Sequence, residues 1–412
     1  MNQLLTKHTS MRLLYVVCWI LFERSAHCKQ LSPVILVPGD GGSRIEAKLN
    51  KSSHGPYPFC DQRTKDFYVI WVNIASVLHP VPTDCLVENF RLVYDNKTHK
   101  TSYPEGVDIR VPGFGGTDSV EWLSDTHSPK LGYFHELAEN MVKWGYVRNK
   151  TIRGAAYDFR RSPNELEDYY TNLTKLIEET YNMNNNTKVV LLAHSLGNLV
   201  ILYFLNHQNQ EWKDKYIRSF ITLGAPWGGS VKALRMIVSG DNVNIITITA
   251  LKARPMQRSM TSSAFLMPTN QFWNKSEVLI QTPRRNYTVN DYQQLFKDLN
   301  FTDGILMRDD VEGLVNPLRP PNVEVHCLYG KGLNTTAKWI YEEGAFPDKQ
   351  PKHVDEDGDQ TVSIRSLEGC LPWKHLQKQP FHSKAFQGIG HGDILNHGVS
   401  IKYIESVLMN LS

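Results

Sequence analysis

Residues 188–205, KVVLLAHSLGNLVILYFL, narrow most what this chain can fold into. Val189, Val190, Leu191 and Leu192 form the short aliphatic run of a buried strand in a parallel sheet. Ala193-His194-Ser195-Leu196-Gly197 follows, and then a second apolar run with Asn198 as its expected cap. Strand, five-residue turn and helix together form the setting of a nucleophile elbow. Such a turn is strained, so its flanks must be small. Ala193 stands where the motif usually has its first glycine, and Gly197 keeps the second. The turn lifts the serine hydroxyl clear of the sheet, beside a helix N-terminus whose N–H groups can face an oxyanion. The rival reading is a serine in an ordinary strand-to-helix turn.

The rest of the chain supports the elbow. Residues 34–37 (VILV) read as a buried strand that ends in Pro38-Gly39-Asp40-Gly41-Gly42. A glycine-rich loop after a central strand can present backbone N–H groups to a negative oxygen, although a plain turn fits as well. Strand patterns recur at 107–113, 151–157, 217–223 and 323–329. Helical spacing appears over 134–144, in Leu166, Tyr170, Leu173 and Ile177 from near Pro163, and over 403–411. Alternating strands and helices predict an α/β fold with a mostly parallel sheet covered on both faces. Two stretches break the alternation. Residues 48–106 read as an insert, and residues 230–321, polar and irregular, as a cap or lid. The expected organisation is a signal peptide over 1–28, a core over 29–47 and 107–229, the insert, the cap, and a second core segment over 322–412. Within the insert, 67–72 is apolar and Val77-Leu78 precedes Pro80 and Pro82. Such residues usually belong to a core. The alternative is an exposed apolar loop touching lipid.

Composition sets the compartment. Lys7 and Arg12 precede ten apolar residues, 13–22, followed by Ser25-Ala26-His27-Cys28. This is the pattern of a secretory leader cut after Cys28, and it is too short to span a bilayer. Cys60, Cys85, Cys327 and Cys370 remain, an even number that suggests disulfides in an exported chain. Three connectivities are possible, and spacing favours Cys60–Cys85 with Cys327–Cys370. No pair has zinc-finger spacing. Asn50, Asn96, Asn149, Asn172, Asn185, Asn274, Asn286, Asn300 and Asn334 each begin a glycosylation triplet. The whole chain carries 45 basic and 42 acidic residues; without Lys7, Arg12, Arg24 and Glu23 it keeps 42 and 41, a net +1. That argues against nucleic acid as a partner. Thirteen of the 15 histidines lie beyond residue 28. Ordinary imidazoles, with a pKa of about 6.5, would make the protein strongly cationic near pH 5 and suit an anionic membrane.

A serine needs a base, and the base needs an acid. On an elbow fold the chain order is Ser, Asp or Glu, His. Residues 355–362, DEDGDQTV, supply a polar loop after a strand. Asp355, Asp357 and Asp359 have the spacing of a calcium loop, but Gln360 and Ser366 occupy its glycine and glutamate positions, which excludes that reading. The glycine-flanked His391 is the expected base, with His397 its competitor and His375 and His382 weaker ones.

Seven blocks now carry a resemblance: VPGD (37–40), RVPGFG (110–115), AHSLGN (193–198), LYFL (202–205), KDKYIRSF (213–220), LGAPWGG (223–229) and LMRDD-EGL (306–314). Together they resemble the lecithin:cholesterol acyltransferase family, nearest its lysosomal phospholipase A2 branch, over about residues 33–411. The resemblance implies an α/β-hydrolase with a membrane-binding insert and a cap. It implies Ser195 as nucleophile, Asp359 as acid, His391 as base, and an oxyanion hole from the N–H groups of Asp40 and Leu196. It implies the two local cysteine pairings and membrane contact through Val77 and Leu78. The implied activity moves a fatty acyl chain from glycerophospholipid to water or a lipophilic alcohol such as ceramide. No metal or other cofactor is called for, and a monomer at an anionic phospholipid surface is expected, in the lysosome or outside the cell. The alternatives are a sterol-esterifying secreted enzyme and an inactive lipid-binding protein. Gln360 stands where the family usually has glycine, glycines flank His391 on both sides, and residues 73–79 are less aliphatic than the branch's lipid-contacting loop.

Overall fold

The computed structural model describes residues 31–52, 55–72, 83–242 and 248–411. The expected leader and the lipid-contact pair Val77 and Leu78 lie outside the described residues. Six parallel strands form the centre: β1 (Val34–Val37), β2 (Ile152–Gly154), β3 (Val189–His194), β4 (Ile217–Leu223), β5 (Val325–Lys331) and β6 (Phe381–Gln387). Their order is β6-β5-β4-β3-β1-β2, and every pairing is parallel.

The period of two along each strand divides the core. Ile35, Val37, Val189, Leu191 and Ala193 face one cluster. There they meet Leu173 and Ile177 of α2 (Glu167–Met183) and Leu199 and Leu202 of α3 (Leu196–His207). Val34, Leu36, Val190, Leu192, Ile221 and Leu223 face the other. That side is covered by Leu137 and Met141 of α1 (His135–Lys143) and by Ile401, Ile404 and Leu408 of α4 (Gly398–Leu411). All six residues of β3 are buried. A strand covered on both faces has no polar side, which is why its sequence shows no alternation.

Three expectations needed revision. The strand expected over 151–157 is only Ile152–Gly154, because the chain leaves the sheet after Ala155, whose N–H still donates to the Leu36 carbonyl at 2.9 Å. The 230–321 stretch, expected to be irregular, carries the helices Val231–Val238, Ala250–Ser259, Thr261–Phe265, Tyr292–Asp298 and Asp303–Glu312. Short helices with polar outer faces hide their period in a sequence. The closing helix begins at Gly398, not Tyr403.

The expected insert is built on Ile45–Leu49, which pairs antiparallel with Tyr68–Trp71 and with Val107–Arg110. A disulfide joins Cys60 to Cys85 in the helix Thr83–Phe90. Cys327 of β5 is joined to Cys370. After β5 the chain runs on as Leu333–Ile340 and returns antiparallel as Lys352–Gly358. This hairpin also takes Ile280–Gln281 as a parallel neighbour, and Trp339 donates from Nε1 to the Val231 carbonyl at 2.8 Å. Residues from 230–321 therefore share a sheet and a core with residues beyond 321.

Candidate active site

The elbow turns at Ser195, where φ is 53° and ψ is −129°. That is a left-handed conformation which non-glycine residues adopt only under strain. The strain is held by bonds on every side. Ser195 N–H donates to the Leu223 carbonyl at 3.0 Å, and Asn198 N–H donates to the Ser195 carbonyl at 3.0 Å. The expected cap, Asn198, is instead fully buried inside the first turn, and Ser195 itself occupies the cap position. The Asn198 Nδ2 group donates to the carbonyls of Ser195 and Leu223, both at 3.0 Å, and so ties the elbow to β4. Gly197 answers a close approach: a Cβ there would lie 2.3 Å from the Pro38 oxygen.

The hairpin after β5 returns Asp359 to the C-terminal end of the sheet, fully buried. Its Oδ1 accepts from the N–H groups of Thr361 (3.0 Å) and Val362 (2.7 Å). Its Oδ2 lies 2.7 Å from His391 Nδ1, and His391 Nε2 lies 2.9 Å from Ser195 Oγ. A carboxylate accepts only, so Nδ1 carries the proton and Nε2 presents its lone pair to the serine. His391 N–H donates to the Asp359 carbonyl at 2.8 Å, so acid and base are also joined through the backbone. The other candidates lie apart. His397 is exposed, its Nδ1 accepting from Val399 N–H at 3.3 Å. His375 is exposed, and His382 stacks on His326 with ring centres 4.6 Å apart. Asp357 accepts from Gly332 N–H at 2.6 Å, and Asp355 faces His353 at 3.6 Å.

The loop after β1 presses on Ser195. A Cβ on Gly39 would lie 2.5 Å from Ser195 Cβ. Asp40 is the half-buried turn residue of this loop, and Leu196 is the first residue of α3, where an N–H has no intrahelical acceptor. Burial pushes the Asp40 carboxyl up to about 6, against the opposing pull of Lys232 and the Gly41 N–H. The Trp71 indole donates to the Gly41 carbonyl at 2.9 Å, so the insert braces the same loop. Burial, with His391 close by, holds the His194 imidazole well below its usual range. Gln360 has φ of 77°, which explains physically why glycine is usual at that position. Sequence reasoning passed over Trp71, Tyr133 and His194. His194 lay inside the motif, whereas no local pattern marks Tyr133 or Trp71, whose contacts here are long-range. The nine triplet asparagines, Asn50 to Asn334, are all exposed.

The family model of lecithin:cholesterol acyltransferase matches residues 67–398. The chain belongs to the lecithin:cholesterol acyltransferase family. Within this family, a Bos taurus protein named lysosomal phospholipase A and acyltransferase is 47% identical over 92% of this chain and 91% of its own length. A Gallus gallus phosphatidylcholine-sterol acyltransferase is 46% identical over 87% of this chain and 86% of its own. A chain of the solved Tle4-Tli4 complex aligns with a TM-score of 0.55 at 13% identity, covering 92% of this chain and 98% of the other. At that identity the likeness concerns the fold alone, that of an α/β-hydrolase. Among the described residues no helix of this family member is long and apolar enough to cross a membrane.

Proposed function

We infer that the chain is a serine-dependent phospholipase and acyltransferase that works in the lysosome or outside the cell. The observation that carries this reading is the unbroken line Ser195 Oγ, His391, Asp359, with contacts of 2.9 and 2.7 Å. Ser195 Oγ attacks an acyl ester carbonyl while His391 Nε2 takes its proton. Buried Asp359 holds the ring in that tautomer and stabilises the imidazolium. The N–H groups of Asp40 and Leu196 receive the oxyanion. Collapse of the tetrahedral species breaks the ester C–O bond, and His391 returns the proton to the departing lysophospholipid. An incoming hydroxyl then gives its proton to His391 and attacks the acyl-serine; the second tetrahedral species breaks its C–Oγ bond, His391 returns the proton to Ser195, and the acceptor leaves with the chain. Water makes a fatty acid, and a lipophilic alcohol such as ceramide makes a new ester. Backbone donors and an imidazole suffice for every step.

The insert, braced against the oxyanion loop through Trp71, is the part proposed to meet the bilayer, and the 230–321 segment the cap. Val77 and Leu78 are its proposed lipid contacts, an anionic phospholipid surface its partner, and a monomer the working form. The test offers phosphatidylcholine vesicles containing ceramide or a sterol at pH 5 and pH 7, and the acylated products are identified. Acylceramide and lysophospholipid are expected. The likeness to the Gallus gallus enzyme favours a second acceptor class, and sterol ester as the main product would establish it. No product from either, with no labelling by a fluorophosphonate probe, would leave an inactive lipid-binding protein.

A further inference from the structure

Behind the triad runs a second line of hydrogen bonds that the reaction steps above do not use. Gly39 N–H donates to the Tyr133 hydroxyl at 2.9 Å. The Tyr133 hydroxyl lies 2.5 Å from His194 Nδ1. His194 Nε2 lies 2.9 Å from the carbonyl oxygen of His391. With the buried His194 ring neutral, only one proton arrangement satisfies all three contacts. The His391 carbonyl accepts, so His194 Nε2 carries the ring proton and donates it. Nδ1 is then the acceptor, Tyr133 donates to it, and the tyrosine oxygen accepts from Gly39. His194 is 3% exposed, so the bonds run where water cannot replace them.

We propose that Tyr133 and His194 are positioning residues that hold the oxyanion loop and the general base in register around Ser195. The line starts one residue before Asp40, whose N–H is proposed to face the oxyanion, and ends on the backbone of His391. It passes through the residue immediately before the nucleophile. The loops after β1 and β6 and the last residue of β3 are thereby joined at the point where the transferring atoms meet. The glycines of the first loop fit this purpose. A Cβ on Gly42 would lie 2.6 Å from the Tyr133 ring, and one on Gly39 would lie 2.9 Å from its hydroxyl. The loop can touch Tyr133 this closely only without side chains. Tyr133 is fixed in turn by its own N–H, which donates to the Glu121 carbonyl at 2.8 Å, just before α1. A buried histidine between two sheet strands is an expensive way to fill space, since an aliphatic side chain would need no partners. Its use here is understood if both ring nitrogens have a task. The reaction tolerates only small errors in the placement of base and oxyanion donors, and a displacement near 1 Å can cost about 10²-fold in rate.

This inference rests on the triad reading, and the experiment separates the two. Wild type, Ser195→Ala, Tyr133→Phe, His194→Gln and His194→Leu are compared on a soluble short-chain ester and by the rate of fluorophosphonate labelling. Tyr133→Phe removes one oxygen and keeps the packing, so it is expected to fold as wild type does. Its kcat should fall about 10- to 100-fold with KM within about twofold, and the labelling rate should fall by a similar factor. His194→Gln can still accept with its oxygen and donate with its nitrogen, so it should retain more activity than His194→Leu. A packing role predicts the reverse order, because leucine suits a buried site better than glutamine. Tyr133→Phe with kcat within about threefold of wild type, or a change confined to KM, would overturn the positioning role while leaving the triad intact. Wild-type labelling that persists in Ser195→Ala would instead overturn the triad reading itself.

Discussion

At the scale of single residues the site separates side chains that react from those that tune them. Ser195→Ala should lower turnover by roughly 10⁴ or more with the fold retained, because the elbow's geometry is held by backbone and Asn198 bonds that do not involve the hydroxyl. Near-normal turnover in the folded variant would end the serine mechanism. His391→Asn should be as damaging, while the exposed His397→Asn should keep most activity. Asp40 makes the more discriminating case. Its carboxyl is raised from 3.8 to about 6, so it is neutral in acid and charged at neutrality. The Asp40 N–H is proposed to face the oxyanion, and a negative side chain there would oppose it, so turnover should fall as pH rises through about 6. The stability sign is the same. A raised carboxyl favours the folded state below its ordinary value, and that advantage is lost as pH rises through the folded one. Asp40→Asn cannot ionise and should extend activity toward neutral pH. The check is a pH–rate profile on a soluble ester, and an unchanged alkaline limb in the variant would refute the assignment.

At the scale of elements, two long excursions meet the core at defined joints. The hairpin after β5 delivers Asp359, the proposed acid. The insert reaches the core through Arg160, which is fully buried, pairs with Asp158 at 2.7 Å and donates to the Phe90 carbonyl at 2.6 Å. Phe90 ends the helix that carries Cys85, and Trp71 stacks on its ring with centres 5.4 Å apart. Asp158→Ala would leave this guanidinium uncompensated in the interior. The expected cost is about 3–5 kcal/mol in denaturant unfolding, as for a broken buried ion pair. A loss near zero would mean the arginine has another means of relief. Burial alone would raise the Asp158 carboxyl, but Arg160 and Arg161 outweigh it and hold it below its ordinary value. Stability from this pair is therefore present above that value and lost only as pH falls below it, leaving the joint intact near pH 5. Cys60→Ser should cost about 3 kcal/mol by freeing a loop of this size, read as a lower unfolding midpoint or poorer secretion.

At the scale of the whole molecule, the proposed contact with a bilayer is expected to be governed by charge. With the expected leader, residues 1–28, set aside, the net charge is +1, and a histidine of ordinary pKa adds to it in acid. Not every histidine takes part: burial holds His194 and His326 below the ordinary range. A basic group near an anionic surface contributes on the order of 1 kcal/mol, so a few of them would match the few kcal/mol available to so short an apolar pair as Val77 and Leu78. Binding to anionic vesicles should strengthen from pH 7 to pH 5 and weaken with added salt. Val77→Asp should slow hydrolysis of vesicles while sparing a soluble ester. Co-sedimentation at both pH values and at two salt concentrations decides this, and indifference to both variables would make the docking apolar.

The sequence by itself determined the elbow, the parallel sheet and the chain order of Ser195, Asp359 and His391, the proposed nucleophile, acid and base. These are written in contiguous residues: the apolar run of β3, the small flanks of Ser195, and the glycines beside His391. Local chemistry was enough because strand, turn and helix have periods and punctuation that a short window contains. Tertiary structure decided which aspartate of 355–359 reaches the base, since only the return register of the hairpin brings Asp359 under β5. It moved Asn198 from a cap to a buried tie, because the strained serine already occupies the cap position. It alone brought Tyr133 to His194, 61 positions along the chain, and Trp71 to Gly41, 30 positions along it. Such contacts leave no periodic trace. They depend on how the sheet's twist and the loop glycines let separate segments approach, and that is settled only when the whole core has closed.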